Sequence, residues 1–177
     1  MMNEEELKVL LEQHHAAGYG WALSCCRGNA VEAEDVLQTV YLKIVEGKAR
    51  YDGASTFRTW LFAVIRRTAA DEYRRRARWW LTAGELTRET QMQKPTLAQQ
   101  LEETVEQAQR CTLFRNGLAT LSARQQEVLR LVFYHDLTIE EAANIMGVSI
   151  GSARTHYERG KQALRLWMAT QQESHEL

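Results

Sequence analysis

Between Ser149 and Lys161 the chain reads SIGSARTHYERGK. Ser152, Thr155, His156 and Arg159 recur there at i, i+3, i+4 and i+7. On a helix these four side chains share one face. Their hydroxyl, imidazole and guanidinium groups suit base edges in a DNA major groove, with Ser149 at the head of the helix. Arg154, Lys161 and Arg165 flank the stripe and could hold phosphates. A solvated amphipathic helix in a bundle would show the same pattern, so the stripe needs support from the elements that precede it.

A second group of residues lies earlier. Six arginines stand at 66, 67, 74, 75, 76 and 78, opposed only by Asp71 and Glu72. Tyr51, Phe57 and Trp60 come before them, and Tyr73, Trp79 and Trp80 lie within or after. Arginines interleaved with aromatics suit a phosphate backbone whose bases have left the stack. The plainer alternative is an arginine-tipped helix in solvent with Trp60 in a core.

Catalytic and metal chemistry is poorly served. No GxSxG, Walker A loop or HExxH occurs, and none of the five histidines has a zinc spacing. Glu34-Asp35 and Glu140-Glu141 fit helix starts or surfaces better than a paired-carboxylate site. Cys25, Cys26 and Cys111 form no CxxC and no even set, so reduced thiols are expected. The residues predict no enzyme, no metal and no cofactor.

The positioning elements follow from periodicity and punctuation. Strand-like alternation is nearly absent and the only proline is Pro95, so the expected fold is all-α, with two small helical domains and a flexible linker. Residues 1–82 read as three helices. The first carries Leu7, Leu10, Leu11, Ala17 and Trp21 and runs to about Arg27. The second is capped by Asn29 with Glu32 and buries Val36, Leu37, Val40, Tyr41, Ile44 and Val45. The third starts at Ser55 or Thr56 and carries Phe57, Trp60, Leu61, Val64, Ile65 and Tyr73. Residues 83–110 are rich in Gln, Thr and Glu and read as the linker. Residues 111–177 hold two capping-box spacings, Ser122 with Gln125 and Thr138 with Glu141. Ala143 and, four positions on, Gly147 supply the small residue and the permissive turn of a helix-turn-helix. Ile139, Ile145 or Met146, Val148, Ala153, Tyr157 and Leu164 would form its core.

Composition sets the outer limits. The 177 residues are 45% hydrophobic and 25% charged, and 22 Lys+Arg against 23 Asp+Glu leave a formal charge of −1. Bulk charge therefore cannot drive nucleic-acid binding, although segregated charge can. No apolar run reaches about 18 residues, and the acidic start MMNEEELK is unlike a signal peptide, so a cytoplasmic protein is expected.

Taken together, AEDVLQTVYLKIVE, STFRTWLFAVIRRTAADEYRRR and LSARQQEVLRLVFYHDLTIEEAANIMGVSIGSARTHYERGKQAL resemble the sigma-70 family of RNA polymerase sigma factors, specifically its extracytoplasmic-function (ECF) group. The resemblance implies a transcription initiation factor that keeps only regions 2 and 4. It implies that Glu34, Asp35, Gln38 and Leu42 face the clamp of the polymerase β′ subunit. It implies that the loop from Gly47 to Thr56, with Tyr51, Phe57 and Trp60, captures a base of the −10 element and helps melt it. Arg67, Arg74 and Arg75 would contact DNA nearby, the latter two in a D-x-x-R-R pattern. Ser149, Ser152, Arg154, Thr155, His156, Arg159 and Lys161 would read the −35 element. Core polymerase (through its β flap as well), promoter DNA and an anti-sigma factor are the implied partners. A stand-alone helix-turn-helix regulator is the alternative compatible with the second block alone.

Overall fold

The computed structural model describes residues 4–83, 112 and 114–173, and side chains over 5–79, 112 and 114–171. Every regular element among them is helical. The chain divides into two compact units, one within 1–97 and the other within 98–177. The linker expected at 83–110 lies outside the described residues apart from Ala83, as do Cys111 and the side chain of Trp80.

The first unit consists of α1 (Glu4–Cys25), α2 (Ala30–Val45) and α3 (Phe57–Ala83), each packed on the other two. α1 stops two residues short of Arg27. Arg27 and Gly28 both take positive φ, and the Gly28 N–H reaches back to the Leu23 carbonyl at 2.8 Å, closing the helix end. Asn29 then caps α2, its Oδ1 accepting from the Glu32 N–H at 3.2 Å. At the head of α3 the cap is Thr56, whose hydroxyl oxygen accepts from the Thr59 N–H.

The core of this unit is Trp21, Ala22, Ala33, Val36, Leu37, Val40, Ile44, Phe57, Leu61, Phe62 and Ile65. Trp21 stacks on Phe62 at 5.8 Å, and its indole N–H donates to the Phe62 carbonyl at 3.0 Å. The buried indole thus loses no hydrogen bond on leaving water. Gly18 lets α1 approach α3 closely, since a Cβ there would sit 3.4 Å from Ile65.

Three expected core residues lie elsewhere. Val45 is largely exposed and Tyr41 half-buried, both beside an open groove of about 540 Å³ that Leu7 and Leu11 also line. Tyr73 is exposed, with the Arg27 guanidinium 5.4 Å above its ring. In each case the apolar phase of the helix continues onto a face that its neighbours do not cover fully.

The second unit has a helical segment over 114–119, then α4 (Ala123–Phe133), α5 (Ile139–Met146) and α6 (Ile150–Glu173). Both expected capping boxes are present. The Gln125 side chain accepts from the Ser122 N–H at 3.1 Å, and Thr138 and Glu141 exchange backbone bonds. Both Ile145 and Met146 are buried, with Leu118, Leu121, Val128, Leu129, Leu131, Ala142, Ala143, Ala153 and Leu164. Ile139, Val148 and Tyr157 are only half-buried.

Candidate nucleic-acid and polymerase interfaces

The helix-turn-helix is built at its turn. Gly147 ends α5 at φ +64, and its N–H together with that of Val148 satisfies the Asn144 and Ala143 carbonyls. A Cβ at Gly147 would meet nothing within 4 Å, so conformation rather than space selects glycine here. Ala143 is fully packed under the crossing, as its small size predicts. α6 is seated from behind by two glycines whose purpose the sequence hid. A Cβ on Gly160 would press 3.1 Å against Gln125 and Leu129, and one on Gly117 would lie 2.6 Å from Leu164 and 2.7 Å from Trp167. Close backbone approach at both points holds α6 against α4 and the 114–119 segment.

The front of α6 carries the expected stripe. Ser152, Thr155 and Arg159 are exposed, His156 is half-buried and Arg154 is exposed beside them. Several of these groups already have local duties. Ser149 caps the helix, its hydroxyl accepting from the Ser152 N–H at 3.1 Å and pairing with the Ser152 hydroxyl at 2.9 Å. Thr155 donates its hydroxyl to the Gly151 carbonyl at 2.9 Å, which leaves it an acceptor oxygen and a methyl group for an incoming base. Lys161 is half-buried with its ammonium 5.3 Å from the Tyr157 ring centroid, and Tyr157 in turn stacks on Phe133 at 6.1 Å. The ring contact restrains the ammonium on this side of the helix.

In the first unit the structure brings Tyr51, Phe57 and Trp60 into one cluster with ring centroids 5.3–5.4 Å apart. Tyr51 and Trp60 are half-buried, whereas Phe57 is 6% exposed. Phe57 is therefore the floor of the cluster rather than a contact surface. Its place at the first position of α3 points it into the junction with α1. The loop bearing Tyr51 is pre-ordered. The Tyr51 hydroxyl donates to the Ser55 carbonyl at 2.5 Å, Asp52 accepts from the Ala54 N–H, and Gly47 and Gly53 supply positive φ.

The arginines of α3 are not equivalent. Trp60, Arg67, Asp71, Arg74 and Arg78 follow at steps of 7, 4, 3 and 4, which places them along one face of the helix. Arg67, Arg74 and Arg75 are exposed. Arg74 pairs with Asp71 and Arg75 with Glu72 one turn back, while Arg76 instead crosses to Glu32 and ties α3 to α2. Cys26 lies buried near that tie. Burial above all, then Glu32, pushes its thiol up to about 11, with Arg76 opposing, so it remains protonated and unreactive. Among the described residues no group of three His, Cys, Asp or Glu could hold a metal, and no helix is long and apolar enough to cross a membrane.

α2 presents a third surface. Glu34, Asp35, Gln38 and Leu42 are all exposed. Val31 at 69% and Val45 at 72% exposure extend that row at both ends. Periodicity gives no sign of an exposed Val31 and places Val45 in the core, so both are corrections made by packing. The row thus holds three apolar and three polar residues on one solvent-facing side of the helix.

An all-helical chain with a pre-ordered aromatic loop, an arginine-bearing helix and a helix-turn-helix belongs to the class of nucleic-acid-directed transcription proteins. Comparison with known proteins narrows this. Residues 10–79 match the family model of sigma-70 region 2, and residues 117–166 match that of sigma-70 region 4. The chain belongs to the sigma-70 family, within its ECF group, and is a transcription initiation factor rather than an enzyme. It is 28% identical over 141 residues to the RNA polymerase sigma factor YlaC of Bacillus subtilis, covering 80% of each chain. It is 28% identical over 137 residues to the ECF sigma factor EcfG of Rhodopseudomonas palustris, covering 77% of this chain and 71% of that one. Its fold is shared with the sigma factor RpoE of Bartonella quintana, solved in complex with the anti-sigma factor NepR. There the TM-score is 0.70 at 24% identity, over 93% of this chain and 98% of that one.

Proposed function

We propose that this chain carries core RNA polymerase to a particular set of promoters in the cytoplasm and helps open them. Residues 1–82 would act as region 2. The exposed row Glu34, Asp35, Gln38 and Leu42 on α2 would dock on the polymerase β′ clamp. Tyr51 and Trp60, floored by Phe57, would hold an extruded base of the −10 element, with Arg67, Arg74 and Arg75 on neighbouring phosphates. Residues 111–177 would act as region 4, reading the −35 element through Ser152, Thr155, His156 and Arg159 with Arg154 and Lys161 on the backbone, Ser149 serving as cap. This unit would also touch the β flap. Residues 83–110 would join the two. An anti-sigma factor would hold the chain inactive; the Bartonella structural neighbour was solved bound to one.

The observation that carries this reading is the joint presence, in one chain, of an exposed polar stripe on α6 and an aromatic cluster beside an arginine-lined α3. Neither site is strong alone. A chain with formal charge −1 lacks the bulk positive charge that drives tight DNA binding, so its affinity for free duplex should be modest. Bound to polymerase, the two units would be held at the −10 to −35 spacing, and each would raise the effective concentration of the other. Holding an unstacked base in the Tyr51–Trp60 cluster would offset a few kcal/mol of unstacking. The polymerase performs the chemistry.

The test is reconstituted transcription with core polymerase and mapping of start sites. The expected result is initiation at discrete promoters only when this chain is added, with one-to-one co-elution of chain and core. Tight palindromic DNA binding by a dimer without polymerase would show a stand-alone regulator instead.

A further inference from the structure

We propose that His14 of α1 is a positioning residue for promoter opening, acting through Phe57 on the aromatic cluster of Tyr51 and Trp60. The inference rests on the base-capturing role proposed for that cluster. The imidazole of His14 stacks on the Phe57 ring with centroids 5.7 Å apart and planes 29° from parallel. Phe57 in turn meets Tyr51 edge-on at 5.4 Å and Trp60 at 5.3 Å. The four rings form one continuous cluster, stacked at His14–Phe57 and edge-on or tilted elsewhere, in which His14 is the back wall, Phe57 the buried floor, and Tyr51 and Trp60 the half-exposed front.

Three elements thereby meet at one point: α1 through His14, the loop through Tyr51, and the start of α3 through Phe57 and Trp60. The loop end is already restrained by the Tyr51–Ser55 bond and the α3 end by the Thr56 cap. On the α1 side the ring stacked on Phe57 is that of His14. Remove it, and the floor ring can tilt into the vacated space, carrying the front rings away from the geometry that would receive a base. Burial, and secondarily the positive charge of Arg58 in α3, hold the His14 pKa below its ordinary value. A neutral imidazole stacks without bringing a second cation to the Arg58 side of the cluster. Its neighbour His15 points its Nδ1 to the Tyr41 hydroxyl at 2.9 Å and belongs to a different surface.

The experiment uses the full chain assembled with core polymerase, on a promoter identified by start-site mapping. Opening is read from 2-aminopurine fluorescence in the −10 element, and assembly from co-elution with core. His14→Ala should lower opening about two- to tenfold, the range set by losing one aromatic stacking contact, with assembly nearly unchanged and the free chain losing no more stability than that one contact provides. His14→Phe should restore opening and His14→Gln should not, because a ring rather than volume or polarity is required. The proposal fails if His14→Ala opens like the natural chain, if Gln restores opening as well as Phe, or if assembly falls in step with opening. Trp60→Ala is the control. Normal opening by Trp60→Ala would overturn the base-capturing reading and this inference with it. Impaired opening by Trp60→Ala alongside normal opening by His14→Ala would overturn the inference only.

Discussion

The side chains proposed to meet DNA are mostly engaged before DNA arrives. Ser149 is spent on a cap, Thr155 donates within its own helix, Arg74 and Arg75 hold carboxylates, and Lys161 rests against Tyr157. Such local bonds reduce the rotamer entropy lost on binding, so each contact is worth more than that of a freely moving side chain. The response to pH is set instead at His14, whose pKa is lowered first by burial and then by Arg58. The unfolded chain therefore takes up a proton more readily than the folded one as pH falls through the ordinary 6.5, and stability drops from there until the lower folded-state pKa is passed. Thermal melts of the full chain, followed by tryptophan fluorescence from pH 7.5 to 5, should show falling midpoints. His14→Phe should flatten that acid limb, and an unchanged slope would show that His14 titrates alike in both states.

Among the helices, the close approaches behind α6 matter more than the apolar stripes that announce them. Gly117 lies against Leu164 and Trp167 so tightly that a methyl group must displace one of them. Gly117→Ala should cost about 1–3 kcal/mol through overpacking despite the better helix propensity of alanine. Gly151 is exposed near the start of α6, with only the Ser149 hydroxyl 3.9 Å from an added Cβ. There the same substitution should stabilise the unit by about 0.5 kcal/mol, at the lower end for exposed helical glycines. Urea unfolding of the two variants checks both signs, and equal effects would mean that the space around Gly117 is not limiting. Caps and turns were legible at this scale from the residues. Asn29 with Glu32, Ser122 with Gln125, Thr138 with Glu141 and Gly147 all sit where their types and spacing place them, because these devices work within four residues of chain. Where helix faces lose their partners was not legible. Val45 and Tyr73 continue an apolar phase onto exposed faces, and periodicity cannot see which face a neighbouring helix covers.

For the whole molecule, the consequence of near-neutral charge is dependence on a larger assembly. Free in solution the chain should bind promoter duplex weakly, with a shallow dependence of log affinity on log salt. Bound to core polymerase the same DNA should be held far more tightly. In the holoenzyme Arg154→Ala should reduce the salt slope by about one while leaving start-site choice unchanged, since a phosphate contact positions without reading sequence. A shift in promoter preference instead would make Arg154 a reader of bases.

The residues alone determined what is local or repeats along a helix: an all-α fold, the turn at Gly147, the stripe on α6, and membership of a family whose motifs are contiguous. Tertiary structure decided what depends on segments far apart in sequence meeting in space. Phe57 became a floor and Val31 a surface residue, while Gly117 and Gly160 became points of close approach. His14, an unremarked helical histidine in the sequence, was stacked beneath a loop and a helix that arrive some forty residues later. Periodicity reports which face of a helix is apolar; only packing reports which ring that face will touch.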